Sequence, residues 1–318
     1  MSIKFVYALI SSDSDFYAEQ TLVSMCSLKK HNPDAHVVLV ADDATLHSIS
    51  ERRADMNPYV DEVIAVNPPA DFSAVQKSRY LKTKLRSAVK GDFLYIDNDT
   101  VVISSLTDLE NEACEMGAVL DGHRRSREVN QLNDYARITG RRFWNYDKYF
   151  NGGLLFVRDT ERTHRLFDDW YQIWNDDRER YGTSLDQPSF AQANIKNDYL
   201  VQELDGSYNC QIITPEALPI VPKAKILHYF DHAPAGTFFP LRNKKFLRMV
   251  KERGINSVIS AIIDAPEAFI LDESFVLDGK DLAIYNSPMV ILGRKLAEDF
   301  PWTNKIAQKI YRLFGYRI

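Results

Sequence analysis

Two aspartates separated by one residue follow a short apolar run in the segment GDFLYIDNDTVV. Side chains alternate along a strand, so Asp97 and Asp99 can share one face where the run ends. Neighbouring carboxylates repel each other unless a cation lies between them, and such oxygen ligands suit Mg²⁺ or Mn²⁺. Asn98 points the other way, where its amide could hydrogen-bond a ribose hydroxyl. The pair predicts a metal site, and the alternative is an Asx turn that ends the strand.

The turn after the first predicted strand, SSDSDFY, contains no glycine and holds two acids, Asp13 and Asp15. It therefore cannot be a glycine-rich phosphate loop, and its carboxylates would repel a bare phosphate. A uracil N3–H or a ribose hydroxyl could donate to these oxygens instead, and Tyr17 could stack on the base. The alternative is that one or both acids cap the helix that follows.

Short apolar runs alternate with helical patterns in the first third of the chain, which predicts βαβ units and a mostly parallel sheet. The predicted strands are 4–10, 36–41, 61–66 and 93–96, and the predicted helices are 16–30, 44–56 and 78–89. Further strands are predicted at 153–157 and 224–229, with a helix capped by Thr160 between them. The polar, arginine-rich stretch 111–149 is interpreted as a long excursion between strands. Because parallel strands end on one side of a sheet, ligands are expected in the crevice there.

The composition limits the class of protein. The chain has 318 residues, of which 45% are hydrophobic, which is enough for one large α/β domain and a smaller appendage. The net charge of −5 argues against a nucleic-acid partner, because such binders need a basic face. The cysteines Cys26, Cys114 and Cys210 form no CxxC pair, which fits a reducing compartment. No apolar run reaches membrane-spanning length, so we expect a cytoplasmic protein, with peripheral attachment to a membrane left open.

Five segments occur in the order found in glycosyltransferase family 8, namely SRYLK, FLYIDND, FNGGLLFV, LDQPSFAQA and ILHYF. The chain therefore resembles that family, which contains glycogenin and bacterial galactosyl- and glucosyltransferases of lipopolysaccharide assembly. The resemblance implies a GT-A fold, a Rossmann-like αβα sandwich with a mostly parallel sheet, over 1–240, and a helical appendage over 241–318. It also implies transfer of a hexose from a UDP-sugar to a hydroxyl of a saccharide or lipid-linked acceptor, with retention of the anomeric configuration.

The resemblance assigns roles to several residues. Asp97, Asp99 and His228 are implied to ligate Mn²⁺, with Mg²⁺ as the alternative ion, and imidazole is an acceptable manganese ligand. Arg79 is implied to lie across the donor diphosphate, where a planar, permanently charged guanidinium suits phosphate.

Other residues are implied to surround the donor sugar. Asp186 and Gln187 resemble the catalytic pair beside the anomeric carbon. Asn151 and the glycines after it resemble the segment that the sugar approaches closely, since glycine admits a ligand that a side chain would block. The predicted donor-binding residues are Leu9, Ser11, Asp13, Tyr17, Arg79, Asn98, Asn151, Gly152, Gly153, Asn209 and His232.

One departure from the family pattern concerns the diphosphate. The family follows its histidine with a glycine and then a lysine–proline–tryptophan element, whose lysine contacts the diphosphate. Here the sequence is HYFDHAPAG, with no lysine at that place. His232, Arg242 and Lys244 are the candidates to replace it, and the alternative is that the metal and Arg79 carry the leaving-group charge.

Two other function classes stay open at this point. A nucleotidyltransferase on a similar sheet would show a glycine- and lysine-rich phosphate loop near the first strand, which is absent. A non-catalytic sugar-binding relative is supported by the missing lysine element. The retained Asp97, Asp99, His228, Asp186 and Gln187 argue against it.

The tail, residues 294–318, carries six basic and two acidic residues interleaved with Trp, Tyr, Phe, Leu and Ile. A basic segment rich in Trp and Tyr suits an anionic membrane interface, which predicts attachment to the inner face of the membrane. The alternative is a helix docked on the core with its lysines in solvent.

Overall fold

The structure is a computed structural model, and it describes residues 3–52, 56–124, 130–141, 148–230 and 239–271. In the tail it describes 283–284, 287–300, 302–303, 306 and 309. By compactness the chain divides into two units, Met1–Ile270 and Leu271–Ile318.

The strands form a large and a small sheet. They are β1 (Lys4–Leu9), β2 (His36–Ala41), β3 (Glu62–Ala65), β4 (Phe93–Ile96), β5 (Thr100–Val102), β6 (Met116–Leu120), β7 (Phe150–Val157), β8 (Val201–Glu203), β9 (Cys210–Gln211) and β10 (Ile226–His228). In the described residues the large sheet has the order β3-β2-β1-β4-β7-β6-β8. Strand β7 runs antiparallel to its neighbours β4 and β6, while the other pairings are parallel. The predicted mostly parallel sheet is therefore confirmed.

Helices cover both faces of this sheet. The helices of the described residues are α1 (Tyr17–His31), α2 (Asp43–Arg52), α3 (Ala74–Ala88), α4 (Asn130–Thr139), α5 (Glu161–Tyr181), α6 (Gln187–Lys196), α7 (Lys244–Arg253), α8 (Ser257–Asp264) and α9 (Ala268–Leu271), with α10 (Pro288–Asp299) in the second unit. Side chains of α1, α7 and α8 share one buried cluster, and those of α3, α5 and α6 share the other.

Strand β1 shows why the central strands are almost wholly apolar. Phe5, Tyr7 and Leu9 belong to the cluster on one face, and Val6 and Ala8 belong to the cluster on the other. A strand buried on both faces has no solvent side to carry polar residues. The two clusters make the architecture the predicted αβα sandwich.

The small sheet positions the acidic segment after β4. Strand β10 lies between β5 and β9 and pairs antiparallel with β5, so that His228 is opposite Thr100. The backbone N–H of Tyr229 also donates to the carbonyl of Asp99, over 3.1 Å. Residues far apart in sequence are thereby held side by side.

Local signals account for two helix starts. Thr160 caps α5 as predicted, in a capping box with Thr163. The predicted start of α3 at residue 78 is wrong, because Ser73 forms a capping box with Gln76 and the helix begins at Ala74.

The interpretation of 111–149 as an excursion is wrong for part of that stretch. The apolar run MGAVL at Met116–Leu120 forms β6, which is hydrogen-bonded between β7 and β8. The run is short and its flanks are charged, but burial on both faces makes its pairing favourable.

Residues after 240 still contribute to the core of the first unit. Val250 of α7 and Ile259, Ile262 and Ile263 of α8 are buried in its core. The boundary between the two compact units falls after Ile270. The predicted boundary between a catalytic domain and a C-terminal appendage, after residue 240, stays a prediction. In the described residues no helix is both long and apolar enough to span a bilayer.

Candidate active site

A cleft of about 440 Å³ opens where β1, β4 and β7 meet the start of α6. Eleven residues predicted to form the site line it together. They are Tyr17, Arg79, Asp97, Asn98, Asp99, Asn151, Gly152, Gly153, Asp186, Gln187 and His228. This edge of the sheet is where the strand ends predicted a ligand crevice.

Asp97, Asp99 and His228 form an acid–acid–histidine cluster on one side of the cleft. One candidate ligand atom from each residue lies within 4.8 Å of the other two. Nε2 of His228 is 3.2 Å from Oδ1 of Asp99. The backbone N–H of Asp97 donates to the carbonyl of Gly153 over 2.8 Å, which fixes the segment against β7.

The chemistry of this cluster fits a divalent cation. Carboxylate oxygens with one imidazole suit Mn²⁺ or Mg²⁺, and two such acids repel each other without a cation. Gly153 leaves the space that the cluster occupies, since a Cβ there would lie 2.5 Å from Cε1 of His228 and 2.9 Å from Oδ2 of Asp97. A side chain at residue 153 would therefore displace His228 and Asp97 from the cluster.

The neighbouring glycines give a matched test of this geometry. Gly153→Ala should lower Mn²⁺ affinity about 10- to 100-fold, because the new methyl group displaces His228 and Asp97. Gly152→Ala should leave Mn²⁺ affinity within about threefold of wild type, since the nearest atom of the described residues to its Cβ is Nζ of Lys82, at 3.8 Å. Calorimetry with Mn²⁺ alone and circular dichroism measure affinity and folding. Equal Mn²⁺ affinity in the two variants would contradict the geometry.

Two cations of α3 face the acids across the cleft. Nε of Arg79 lies 3.1 Å from Oδ1 of Asp186, and Nζ of Lys82 lies 3.3 Å from Oδ1 of Asp97. The charge of Asp186 is the largest cause that holds the pKa of Arg79 above its ordinary value. Lys82 was missed by the sequence reasoning. Its signal was the spacing, since residues three apart share a helix face.

Tyr95 of β4 holds the Asp97 carboxylate in place by a hydrogen bond. Its hydroxyl donates to Oδ1 of Asp97, and the ring is fully buried in β4. Burial and the neighbouring Asp97 raise the pKa of Tyr95 well above its ordinary value. The hydroxyl therefore keeps its hydrogen and remains a donor to the carboxylate.

Asp186 and Gln187 stand where α6 begins. Asp186 occupies the N-cap position but makes no capping bond with its side chain, which faces Arg79 instead. Its carbonyl accepts from Nε1 of Trp170 over 2.8 Å, and Oε1 of Gln187 accepts from the N–H of Gly152 over 3.0 Å. Both residues line the cleft at the start of α6.

One side of the cleft is formed by the turn after β1 and by Asn98. Asp15 and Tyr17 line it, and the Asp15 carboxylate accepts from the N–H groups of Ser12 and Tyr17. The structure thus gives Asp15 the local role of closing the turn before α1. Nδ2 of Asn98 donates to the carbonyl of Ala8, while its buried Oδ1 has no hydrogen-bond partner among the residues that the structure describes.

Some predicted donor-binding residues do not line the cleft. Leu9 is fully buried in the core, Ser11 is buried beside Thr45, and Asp13 is exposed and accepts from Ser48. Asn209 is buried behind the cleft. His232 lies outside the described residues. The binding roles of Leu9, Ser11 and Asp13 stay predictions.

A chain of hydrogen bonds runs behind the cluster. The N–H of Gly153 donates to Oδ1 of Asn151 over 2.8 Å, and Nδ2 of Asn209 donates to the same oxygen over 3.0 Å. Oδ1 of Asn209 is 2.9 Å from Nδ1 of His228. Phe230, which the sequence reasoning also missed, stacks on the imidazole at 3.7 Å with a φ of 54°.

The sequence model of Glycosyl transferase family 8 matches residues 9–233. The chain belongs to glycosyltransferase family 8. This match confirms the family to which the five ordered segments pointed. No curated protein matches the chain.

Solved structures resemble this family member in fold. The glycosyltransferase GlyE in Streptococcus pneumoniae TIGR4 is 18% identical, with 86% of this chain and 65% of that chain covered and a TM-score of 0.52. The galactosyltransferase LgtC is 19% identical, with 71% of this chain and 87% of that chain covered and a TM-score of 0.46. Mouse xyloside xylosyltransferase 1 is 14% identical, with 74% of this chain and 99% of that chain covered and a TM-score of 0.48. The likeness to GlyE agrees with the GT-A fold predicted for this family member.

The family's lysine element is missing from the sequence, but another lysine lies in the cleft. Arg242 and Lys244 are not among the residues that line the cleft in the described part of the chain. Lys82 does line it and is almost fully buried there. This family 8 chain therefore brings a lysine to the cleft from α3.

Proposed function

We propose that this chain transfers a hexose from a UDP-sugar to a hydroxyl of a saccharide or lipid-linked acceptor, with Mn²⁺ and with retention. The observation that supports it most is the convergence of Asp97, Asp99 and His228 within 4.8 Å. They lie in the same cleft as Asp186 and Gln187. The cleft thus combines a cation site with oxygen groups that could face a sugar.

The metal and the two cationic side chains would stabilise the negative charge of the diphosphate leaving group. Asp97, Asp99 and His228 would hold Mn²⁺, which supplies Lewis-acid stabilisation of the diphosphate oxygens when bound. Arg79 presents five N–H donors, more than its contact with Asp186 uses. Lys82 adds an ammonium group in a buried position, where water screens its charge poorly. Together these side chains stabilise the negative charge that builds up on the departing diphosphate.

Asp186 and Gln187 would stabilise the anomeric carbon as it reacts. As the bond from the anomeric carbon to the diphosphate oxygen breaks, positive charge develops there, and their side-chain oxygens stabilise it. The acceptor oxygen forms its bond on the same face, and its proton passes to the departing phosphate oxygen. This sequence retains the anomeric configuration without a covalent sugar–enzyme intermediate.

A hydrolysis screen tests the proposed activity without knowledge of the acceptor. The protein is incubated with Mn²⁺ and each member of a UDP-hexose panel, and released UDP is measured. We expect one UDP-hexose to be hydrolysed with Mn²⁺ and not with EDTA. Binding of a UDP-sugar without any hydrolysis or transfer would support a non-catalytic sugar-binding relative instead. An inverted anomeric configuration of the product, seen by NMR, would contradict the retaining assignment.

The tail supports a proposal about location. We propose that the protein is cytoplasmic and lies on the inner face of the membrane through 294–318. Among the described tail residues, Leu296, Phe300, Trp302 and Ile306 expose apolar side chains. Residues 310–318 lie outside the described residues. Exposed apolar groups next to lysine and arginine favour an anionic bilayer surface.

Vesicle sedimentation tests this location. The full chain should sediment with anionic vesicles, less so as salt rises, and should not sediment with neutral ones. Deletion of the residues after Asp299 should abolish the binding and leave UDP-sugar hydrolysis within about twofold, because the cleft lies in the first unit. Absence of binding to either vesicle would favour the docked helix.

A further inference from the structure

The hydrogen-bond chain behind the acid–acid–histidine cluster allows one consistent orientation of its amides. The backbone N–H of Gly153 can only donate, so the Asn151 atom that it contacts is the carbonyl oxygen. The Asn209 atom facing that oxygen must therefore be the NH₂ group, 3.0 Å away. It follows that Asn209 turns its own carbonyl oxygen toward His228.

This orientation decides which ring nitrogen of His228 carries hydrogen. Nδ1 lies 2.9 Å from the Asn209 oxygen, an acceptor, so Nδ1 must donate. In a neutral imidazole only one nitrogen carries hydrogen, so Nε2 keeps its lone pair. That lone pair faces Oδ1 of Asp99 at 3.2 Å, which is also an acceptor. Two acceptors at this distance are stabilised by a cation between them.

The other neutral form of His228, with hydrogen on Nε2, could not bind a cation through that nitrogen. With hydrogen on Nε2, His228 would donate to Asp99 and present no lone pair to a cation. Asn209 opposes this form, because its carbonyl oxygen would then face the unprotonated Nδ1. Phe230 stacks on the ring with an interplanar angle of 6° and so restrains rotation of the imidazole out of this plane.

We propose that Asn209 is a positioning residue that keeps the hydrogen of His228 on Nδ1 and so reserves Nε2 for a divalent cation. Asn209 is fully buried and does not line the cleft, so it acts through His228 rather than on the donor sugar. The proposal rests on the metal role of His228 in the proposed function. Histidine ligands commonly donate their second N–H to a fixed acceptor, and loss of that acceptor weakens metal binding.

The first test uses the unaltered protein without metal. Nitrogen NMR shifts of isotope-labelled histidine, measured at about pH 8 where free imidazole is neutral, distinguish the two forms. His228 is assigned by the signals that vanish in His228→Ala. We expect the hydrogen on Nδ1. A hydrogen on Nε2 in the wild-type protein overturns the proposal.

The second test compares binding of Mn²⁺ alone by calorimetry. Asn209→Leu removes the acceptor at similar size and should weaken Mn²⁺ binding about 10- to 100-fold and move the hydrogen to Nε2. The matched control is Asn194→Leu, which removes a buried amide that accepts from the N–H of Val201, remote from His228. The control should bind Mn²⁺ as wild type does.

The outcomes separate this inference from the proposed function. If wild type binds Mn²⁺ and folded Asn209→Leu binds it equally well, the inference alone is wrong. If wild type does not bind Mn²⁺, the metal role of His228 and the inference both fail. If Asn209→Leu does not fold, the wild-type NMR result still decides.

Discussion

Asp99→Asn is expected to reduce kcat/KM for UDP-sugar hydrolysis by about 10³-fold, which corresponds to about 4 kcal/mol of lost stabilisation. The substitution keeps the size of the side chain and removes the charge that faces Nε2 of His228 at 3.2 Å. Without it, the cluster has one carboxylate and one imidazole and should hold Mn²⁺ weakly. Initial rates at several Mn²⁺ concentrations measure the loss, and excess Mn²⁺ should recover part of it.

Asp108→Asn is the matched control for this substitution. Asp108 is an acid of the first unit that accepts a hydrogen bond from Tyr208 and pairs with Lys225, and it does not line the cleft. Its variant should keep kcat/KM within about threefold of wild type, since remote surface changes act nearly independently. Near-normal activity of Asp99→Asn, with folding shown by circular dichroism, would exclude the carboxylate from the metal site.

The second large effect is expected for Asp186→Asn, which should lower kcat about 10²- to 10³-fold with little change in KM for the donor. The carboxylate balances Arg79 at 3.1 Å and Lys82 at 3.9 Å. An amide in its place leaves both cations uncompensated beside a carbon that becomes positive. The interaction is made mainly in the transition state, so kcat carries the loss.

A second acid–arginine pair supplies the control for Asp186. Asp159 lies 3.2 Å from the buried Arg86 and does not line the cleft. Asp159→Asn breaks a comparable pair and should affect stability without lowering kcat by more than about threefold. If Asp186→Asn raised KM and left kcat unchanged, Asp186 would be a ground-state contact to the donor and not a group beside the anomeric carbon.

Much of this architecture could be predicted because its signals are local. Strands such as 36–41 and 93–96 read as continuous apolar runs, and the structure places both strands within the predicted bounds. Thr160 as a helix cap depends on a side chain and backbone three residues apart. The acids Asp97 and Asp99 stood out because an apolar run ended in them.

The remainder depends on contacts between distant residues. Strand β6 is defined by its pairing with β7 and β8, which no pattern within Met116–Leu120 specifies. Lys82 resembles a surface lysine of α3 until the fold buries it beside Asp97. Asn209 acquires its partners from β7 and β10, 58 and 19 residues away. Sequence therefore identified the residues of the cleft better than the residues that orient them.

The most direct test of the proposed metal-dependent donor site is calorimetric titration of the wild-type protein with UDP, with Mn²⁺ and with EDTA. Two carboxylates and one imidazole leave coordination positions for diphosphate oxygens, so UDP and Mn²⁺ should bind cooperatively. We predict that EDTA weakens UDP binding at least about 10-fold and that Asp99→Asn does the same in the presence of Mn²⁺. UDP affinity that is unchanged by EDTA would contradict the assignment of Asp97, Asp99 and His228 as the metal site.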